Sequence, residues 1–155
     1  WRVGYAAGPT NVINAMNKVQ SQNVSSTASI SMAASVEALT GDQSFITSHN
    51  ESFLRRRDLV VKNLNETPGL SCRVPEGAFY VFASCKGVLG KKTESGKIIE
   101  ADGDFMDYLL EEVGVAGVQG SAFGLDGFFR ISYATSDSIL EDACQRIKLA
   151  CSKLS

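Results

Sequence analysis

Apolar residues recur at helical spacing through the first 64 residues and only then give way to short strand-like runs; this order constrains the fold most. Gly8-Pro9 is a helix-start signal, because proline at the first helical position gives up no needed hydrogen bond. Val12, Ile13, Met16 and Val19 follow at helical spacing, and the polar residues 21–27 break the pattern. A second helix is predicted over residues 28–39, ending at Thr40-Gly41. Asp42 is placed to cap a third, longer helix whose apolar side is Phe45, Ile46, Phe53, Leu59, Val60 and Leu64.

Beyond residue 65 the elements shorten. Pro68-Gly69 marks a turn, and residues 70–74 and 78–82 read as two strands separated by Pro75-Glu76-Gly77. Residues 84–102 are polar and glycine-containing and read as a mobile loop, with Ile98-Ile99 able to form a short strand. Asp102 is expected to cap a helix that turns Phe105, Met106, Leu109, Leu110 and Val113 inward and ends at Gly114. A short strand at 115–118, a glycine-rich stretch at 120–127 and a strong strand at 128–133 follow. Thr135, Ser136 or Asp137 then caps a last helix with Ile139, Leu140, Ala143, Ile147, Ala150 and Leu154 on one side. Three helices, a strand pair, a loop, then helix, strand, strand and helix describe an α+β chain with a small sheet covered by helices.

At 155 residues the chain fits one domain, or one domain and a piece of another. A formal net charge of −2 gives no electrostatic ground for nucleic acid or an anionic membrane as partner. No apolar run approaches the roughly 20 residues that cross a bilayer. Cys72, Cys85, Cys144 and Cys151 show no C-x-x-C spacing and have a single histidine, His49, to work with, so they read as reduced packing cysteines and no metal site is expected. Arg55-Arg56-Arg57 falls within one helix, where consecutive residues spread around the axis. A solvated surface and an anion or interface role both remain open for it.

Arg130 stands inside the strongest strand, between Phe128-Phe129 and Ile131. A guanidinium in such a run is costly to bury unpaired. It can face solvent from a strand edge, complete a structural ion pair, or present its planar fork to a carboxylate. The loop Gly120-Ser121-Ala122-Phe123-Gly124 before it is bounded by glycines, but does not match a phosphate-binding P-loop.

Three segments read together carry a resemblance: Trp1-Arg2-Val3-Gly4-Tyr5-Ala6-Ala7-Gly8; Pro75-Glu76-Gly77-Ala78-Phe79-Tyr80; and Gly120-Ser121-Ala122-Phe123-Gly124 with Phe128-Phe129-Arg130-Ile131-Ser132-Tyr133-Ala134. In this order and at these separations they resemble the C-terminal part of a class I aminotransferase of pyridoxal-phosphate fold type I, nearest the bacterial-type aspartate aminotransferases. The resemblance covers the whole chain. It implies the small domain of that fold plus the last helices of the large domain: 1–41 as the end of the cofactor-binding large domain, 42–64 as a connecting helix, and 65–155 as the small domain that closes on substrate. By the same resemblance Arg130 binds the substrate α-carboxylate, Arg2 pairs with the cofactor phosphate, and Ser25 approaches the phosphate of a dimer partner. Ser21 stands about where some aspartate aminotransferases carry an arginine for the distal carboxylate. Tyr80 is read as packing rather than catalysis. Gln119 replaces the family's usual proline, and the Gly124–Gly127 connection is short, which bears on the shape of the substrate entrance.

The implied activity is pyridoxal 5'-phosphate-dependent transfer of an amino group between an amino acid, aspartate first, and a 2-oxo acid, in a cytoplasmic homodimer. The lysine that carries the cofactor belongs before Trp1, so no catalytic residue is assigned within these residues and the chain alone is expected to be inactive. Another fold type I enzyme, such as an aromatic aminotransferase or a lyase, and a non-enzymatic dimerisation or binding domain are the alternatives.

Overall fold

The computed structural model describes residues 2–155; Trp1, the first residue of the N-terminal motif, lies outside the described residues. The chain divides after Ile46 into two compact units.

In the first unit Pro9 occupies the cap position, one residue earlier than expected, and its carbonyl accepts from Val12 and Ile13. Helix α1, Thr10–Asn23, continues through the first three residues of the polar run, because its backbone bonds persist until Val24 donates to Gln20. Helix α2 spans Ser29–Thr40, and the Gln43 side-chain amide closes its end by donating to the carbonyls of Ala38 and Gly41. The Asp42 carboxylate accepts from the Ser44 amide and hydroxyl just ahead of helix α3, Phe45–Asn65. Large apolar side chains on α1 and α2, among them Val19, Ile30, Val36 and Leu39, are exposed.

The second unit is built on one antiparallel sheet in the order β1-β2-β4-β3, with β1 Ser71–Cys72, β2 Tyr80–Ser84, β3 Val118–Gln119 and β4 Phe128–Ser132. Two of the predicted strands contract to two residues each, β1 and β3, and both lie at the sheet edges. Strand β2 starts two residues later than predicted. Ala78 takes a left-handed conformation (φ 62°) and its carbonyl accepts from the Tyr133 hydroxyl at 2.8 Å, which bends the chain before pairing begins. Val81, Ala83 and Phe129 point from one side of the sheet into the core. They pack with the end of α3 (Val60, Val61, Leu64), with α4, Asp102–Val113, and with α5, Asp137–Ser152. Phe105 of α4 meets Phe129 edge to face, with centroids 5.5 Å apart. Burying such aromatic side chains contributes roughly 1.5–3 kcal/mol each.

Helix α4 ends on Gly114 in the left-handed conformation (φ 66°), as expected, but Leu110 is exposed and Tyr108 is buried instead, its hydroxyl donating to the Ala150 carbonyl. Ile139 likewise faces outward from α5, while Cys144 and Cys151 fill the inner side. Burial raises the thiols of Cys72, Cys85 and Cys144 to about 11 and that of Cys151 to about 12. The stretch expected to be a mobile loop is a closed hairpin. Gly90 donates to Ile99, Ile99 to Lys91 and Thr93 to Lys97, and Lys92 and Ser155 exchange two backbone bonds. Ile99 and Val88 are buried beneath it. Arg55 and Arg56 form an ion-paired contact at the surface: their Nε atoms reach Asp137 at 2.7 and 2.9 Å, joining α3 to the start of α5, with Arg55 still largely exposed. Among the described residues no helix is long and apolar enough to cross a membrane.

Candidate functional site

The sheet side opposite the core carries the site. Tyr80 pairs directly with Ser132, Phe82 with Arg130 and Ser84 with Phe128, and directly opposed residues project to the same side. On this side Tyr80, Phe82, Ser84, Phe128 and Arg130 are half-exposed and Ser132 is exposed, while Val81, Ala83 and Phe129 on the other side are buried and Ile131 is half-buried. Arg130 therefore leaves an interior strand, bonded to β2 on one side and to β3 through Val118 on the other.

Aromatic rings surround it. The Arg130 guanidinium carbon lies 4.3 Å from the Tyr80 ring centre and 4.5 Å from that of Phe123. Phe123 meets Phe82 edge to face at 6.0 Å, and Phe82 stacks on Phe128 at 5.6 Å, with planes 7° apart. The Lys86 ammonium lies 5.1 Å over Phe128. Contacts of this kind hold a guanidinium without using its N–H donors. Among the described residues no carboxylate pairs with Arg130 and no carbonyl or hydroxyl accepts from it. Of the three options that the sequence leaves open, the edge and structural ion-pair arrangements are absent. A half-buried planar fork with unspent donors is what an anion with two coplanar oxygens requires.

Phe123 reaches Arg130 from a single 3-10 turn, Gly120–Phe123. Gly120 is needed there for space: a Cβ on it would meet the Leu125 carbonyl oxygen and come within 2.8 Å of the Phe128 Cβ. Asp102, expected to cap α4, is buried and instead accepts from the Ser121 amide at 2.7 Å. Asp104 takes over the cap, accepting from the amides of Ala101 and Glu100, and these bonds hold its carboxyl below the usual carboxylate range. Sequence reasoning missed Phe123 and Asp102 as parts of the site. Glycines bracketing Phe123 were the available signal for the first, whereas the contact between Asp102 and Ser121 had none.

Arg2 and Ser25 belong to the first unit. Both are exposed and both take left-handed backbone conformations, with φ of 58° and 61°. No hydrogen bond or ion pair links them among the described residues. Ser21 spends its hydroxyl on the Lys18 carbonyl at 2.9 Å.

The family model for class I and II aminotransferases matches residues 1–147. The chain belongs to this aminotransferase family. Within the family it is 61% identical over its full length to an aspartate aminotransferase of Rhizobium meliloti strain 1021, of which it covers 38%. It is 52% identical, again over its full length, to the aspartate/prephenate aminotransferase of Cereibacter sphaeroides, covering 39% of that protein. The crystal structure of the Rhizobium meliloti aspartate aminotransferase superimposes on the whole chain with a TM-score of 0.91 at 61% identity, 39% of that chain being covered. The small antiparallel sheet with its covering helices is thus the fold of an aminotransferase segment. The chain spans about two fifths of the length of these family members.

Proposed function

We propose that these residues are the C-terminal part of a pyridoxal phosphate-dependent aminotransferase that moves an amino group between an amino acid and a 2-oxo acid. The observation that carries this is Arg130: a guanidinium held by Tyr80 and Phe123 with its donors unspent, on a strand of an aminotransferase fold. The identity to aspartate aminotransferases makes aspartate the first candidate donor. A second substrate, prephenate, is favoured by relatives named for both activities.

In this reading Arg130 binds the substrate α-carboxylate through two parallel N–H···O bonds, which fixes the orientation of the Cα–H bond. Tyr80, Phe82 and Phe123 keep water from that pair, which strengthens it. Arg2 holds the cofactor phosphate, and Ser25 donates its hydroxyl to the phosphate of the partner in a homodimer. Pyridoxal phosphate, when bound, supplies the electron sink for breaking the Cα–H bond. We assign proton transfer to a lysine outside these residues, so the 155-residue chain alone does not transaminate. Residues 1–41 end the large domain, 42–64 connect, and 65–155 form the small domain that closes over substrate. The exposed Val19, Ile30, Val36 and Leu39 fit helices covered by more of the protein. The surroundings of the enzyme are cytoplasmic.

The test is a coupled assay with aspartate and 2-oxoglutarate, and with prephenate as alternative acceptor, on the full-length gene product and on the 155-residue chain. Turnover by the former and none by the latter is expected. Turnover by the purified 155-residue chain overturns the assignment of proton transfer, and a full-length product inert toward all three compounds overturns the substrate assignment.

A further inference from the structure

Arg130 owes its position to a loop, and the loop owes its position to a buried acid. The Asp102 side chain is 2% exposed and lies at the first turn of α4. Its Oδ2 accepts from the Ser121 backbone amide across 19 residues of sequence. That amide belongs to the second residue of the turn whose last residue, Phe123, places its ring 4.5 Å from the guanidinium carbon. The turn is closed from the other side as well: Leu125 donates to the Gly120 carbonyl, Gly124 donates to Ser121, and Gly120 sits against Phe128 too closely for any side chain. With both ends fixed, the Phe123 ring lies between Phe82 and Arg130.

Burying a carboxylate is costly unless it is hydrogen-bonded, and a helix first turn can be capped at the surface at far less cost. Asp104 already does that for α4. The buried acid at position 102 therefore has no capping duty, and among the described residues its carboxylate accepts from the Ser121 amide. We propose that Asp102 is a positioning residue for the substrate-binding arginine: it anchors the turn 120–123 so that Phe123 locks the Arg130 fork in the orientation that receives a carboxylate. This rests on the assignment of Arg130 to the substrate carboxylate. Asp102 touches no substrate. It acts through Ser121 and Phe123, and its removal frees the arginine to adopt rotamers that meet a carboxylate with one N–H instead of two.

The experiment is a mutant cycle in the full-length enzyme, read as kcat/KM for the amino-acid donor, with Asp102→Ala, Phe123→Leu, the double variant, and Asp102→Asn, which keeps an oxygen acceptor for the Ser121 amide. Residues that act through one contact couple rather than add. Each of Asp102→Ala and Phe123→Leu is expected to lower kcat/KM about tenfold, the double variant also about tenfold, and Asp102→Asn less than about threefold. In the 155-residue chain, the Arg130 Nε–Hε resonance, moved by the ring currents of Tyr80 and Phe123, is expected to shift in Asp102→Ala and to return in Asp102→Asn. Multiplicative losses near about a hundredfold in the double variant, or an unmoved Arg130 resonance in Asp102→Ala, overturn the proposal. Should Asp102→Ala fail to fold, Asp102→Ser replaces it with the same expectations. Arg130→Lys separates the two levels: if it leaves kcat/KM unchanged, the reading of Arg130 fails, whereas a loss there with additive Asp102 and Phe123 effects sinks the positioning role alone.

Discussion

The Arg130 guanidinium carbon lies 4.3 Å from the centre of the Tyr80 ring, although Tyr80 was expected only to pack. It packs, and what it packs against is the guanidinium proposed to bind the substrate. Cation–π contacts are worth about 0.5–2 kcal/mol, more when water is kept away. Tyr80→Leu is expected to weaken binding of the amino-acid carboxylate by about threefold to tenfold and Tyr80→Phe by less than about twofold, since the ring and not the hydroxyl makes the contact. The KM of the full-length variants measures this. Equal losses in both would show that the hydroxyl carries the effect.

Asp137 starts α5 and receives the Nε donors of Arg55 and Arg56, hydrogen bonds that hold its carboxyl below the usual carboxylate range. A carboxylate with a depressed native pKa stabilises the fold above its unfolded value, near about 3.9, and loses that contribution as pH falls through the native one. Asp137→Asn should therefore melt below the parent at neutral pH, with the gap closing as the acid range is entered. The pair is exposed, so added salt should narrow the gap too. Thermal melts across pH and salt check both trends. A gap that persists in strong acid would mean that packing of the side chain, not its charge, supports α5.

All four cysteines are buried and free, and burial raises their thiols to about 11 or 12. The thiolate is the reactive form, so at neutral pH none should react with an aromatic disulfide reagent in the native chain, and all four should react in guanidinium chloride. Rapid reaction of even one native thiol would contradict its placement in the core.

Legibility in the sequence followed the range of the interactions involved. Phe128 to Ser132 could be read because an apolar run that follows a glycine is a local signal, and Arg130 stood out as the one charge within it. Gly114 ends α4 as read, since a left-handed helix end is local as well. Asp102 was misread because two acids two residues apart both suit a helix start, and only tertiary structure shows which one is buried. The closed hairpin over Ile99 depends on the C-terminal Ser155, and the pairing of Arg55 and Arg56 with Asp137 spans more than 80 residues. Outward-facing Leu110 and Ile139 show the limit of periodicity, which places a residue on the margin of a helix face without saying whether a neighbour covers it. The roles of Arg2 and Ser25 came from family resemblance, because nothing in their local pattern distinguishes a phosphate contact from a polar loop.

The central claim is that Arg130 grips the α-carboxylate of an amino acid, and the most direct test asks the enzyme to distinguish that carboxylate from its neutral counterpart. In the full-length enzyme, kcat/KM is compared for aspartate and for aspartate α-amide, in the parent and in Arg130→Gln. Charge-assisted hydrogen bonds contribute about 1.5–3 kcal/mol each, so the parent should prefer the acid by about a hundredfold or more, and Arg130→Gln should reduce that preference below about fivefold. A preference that survives in Arg130→Gln at its parental size would place the carboxylate elsewhere and contradict the account.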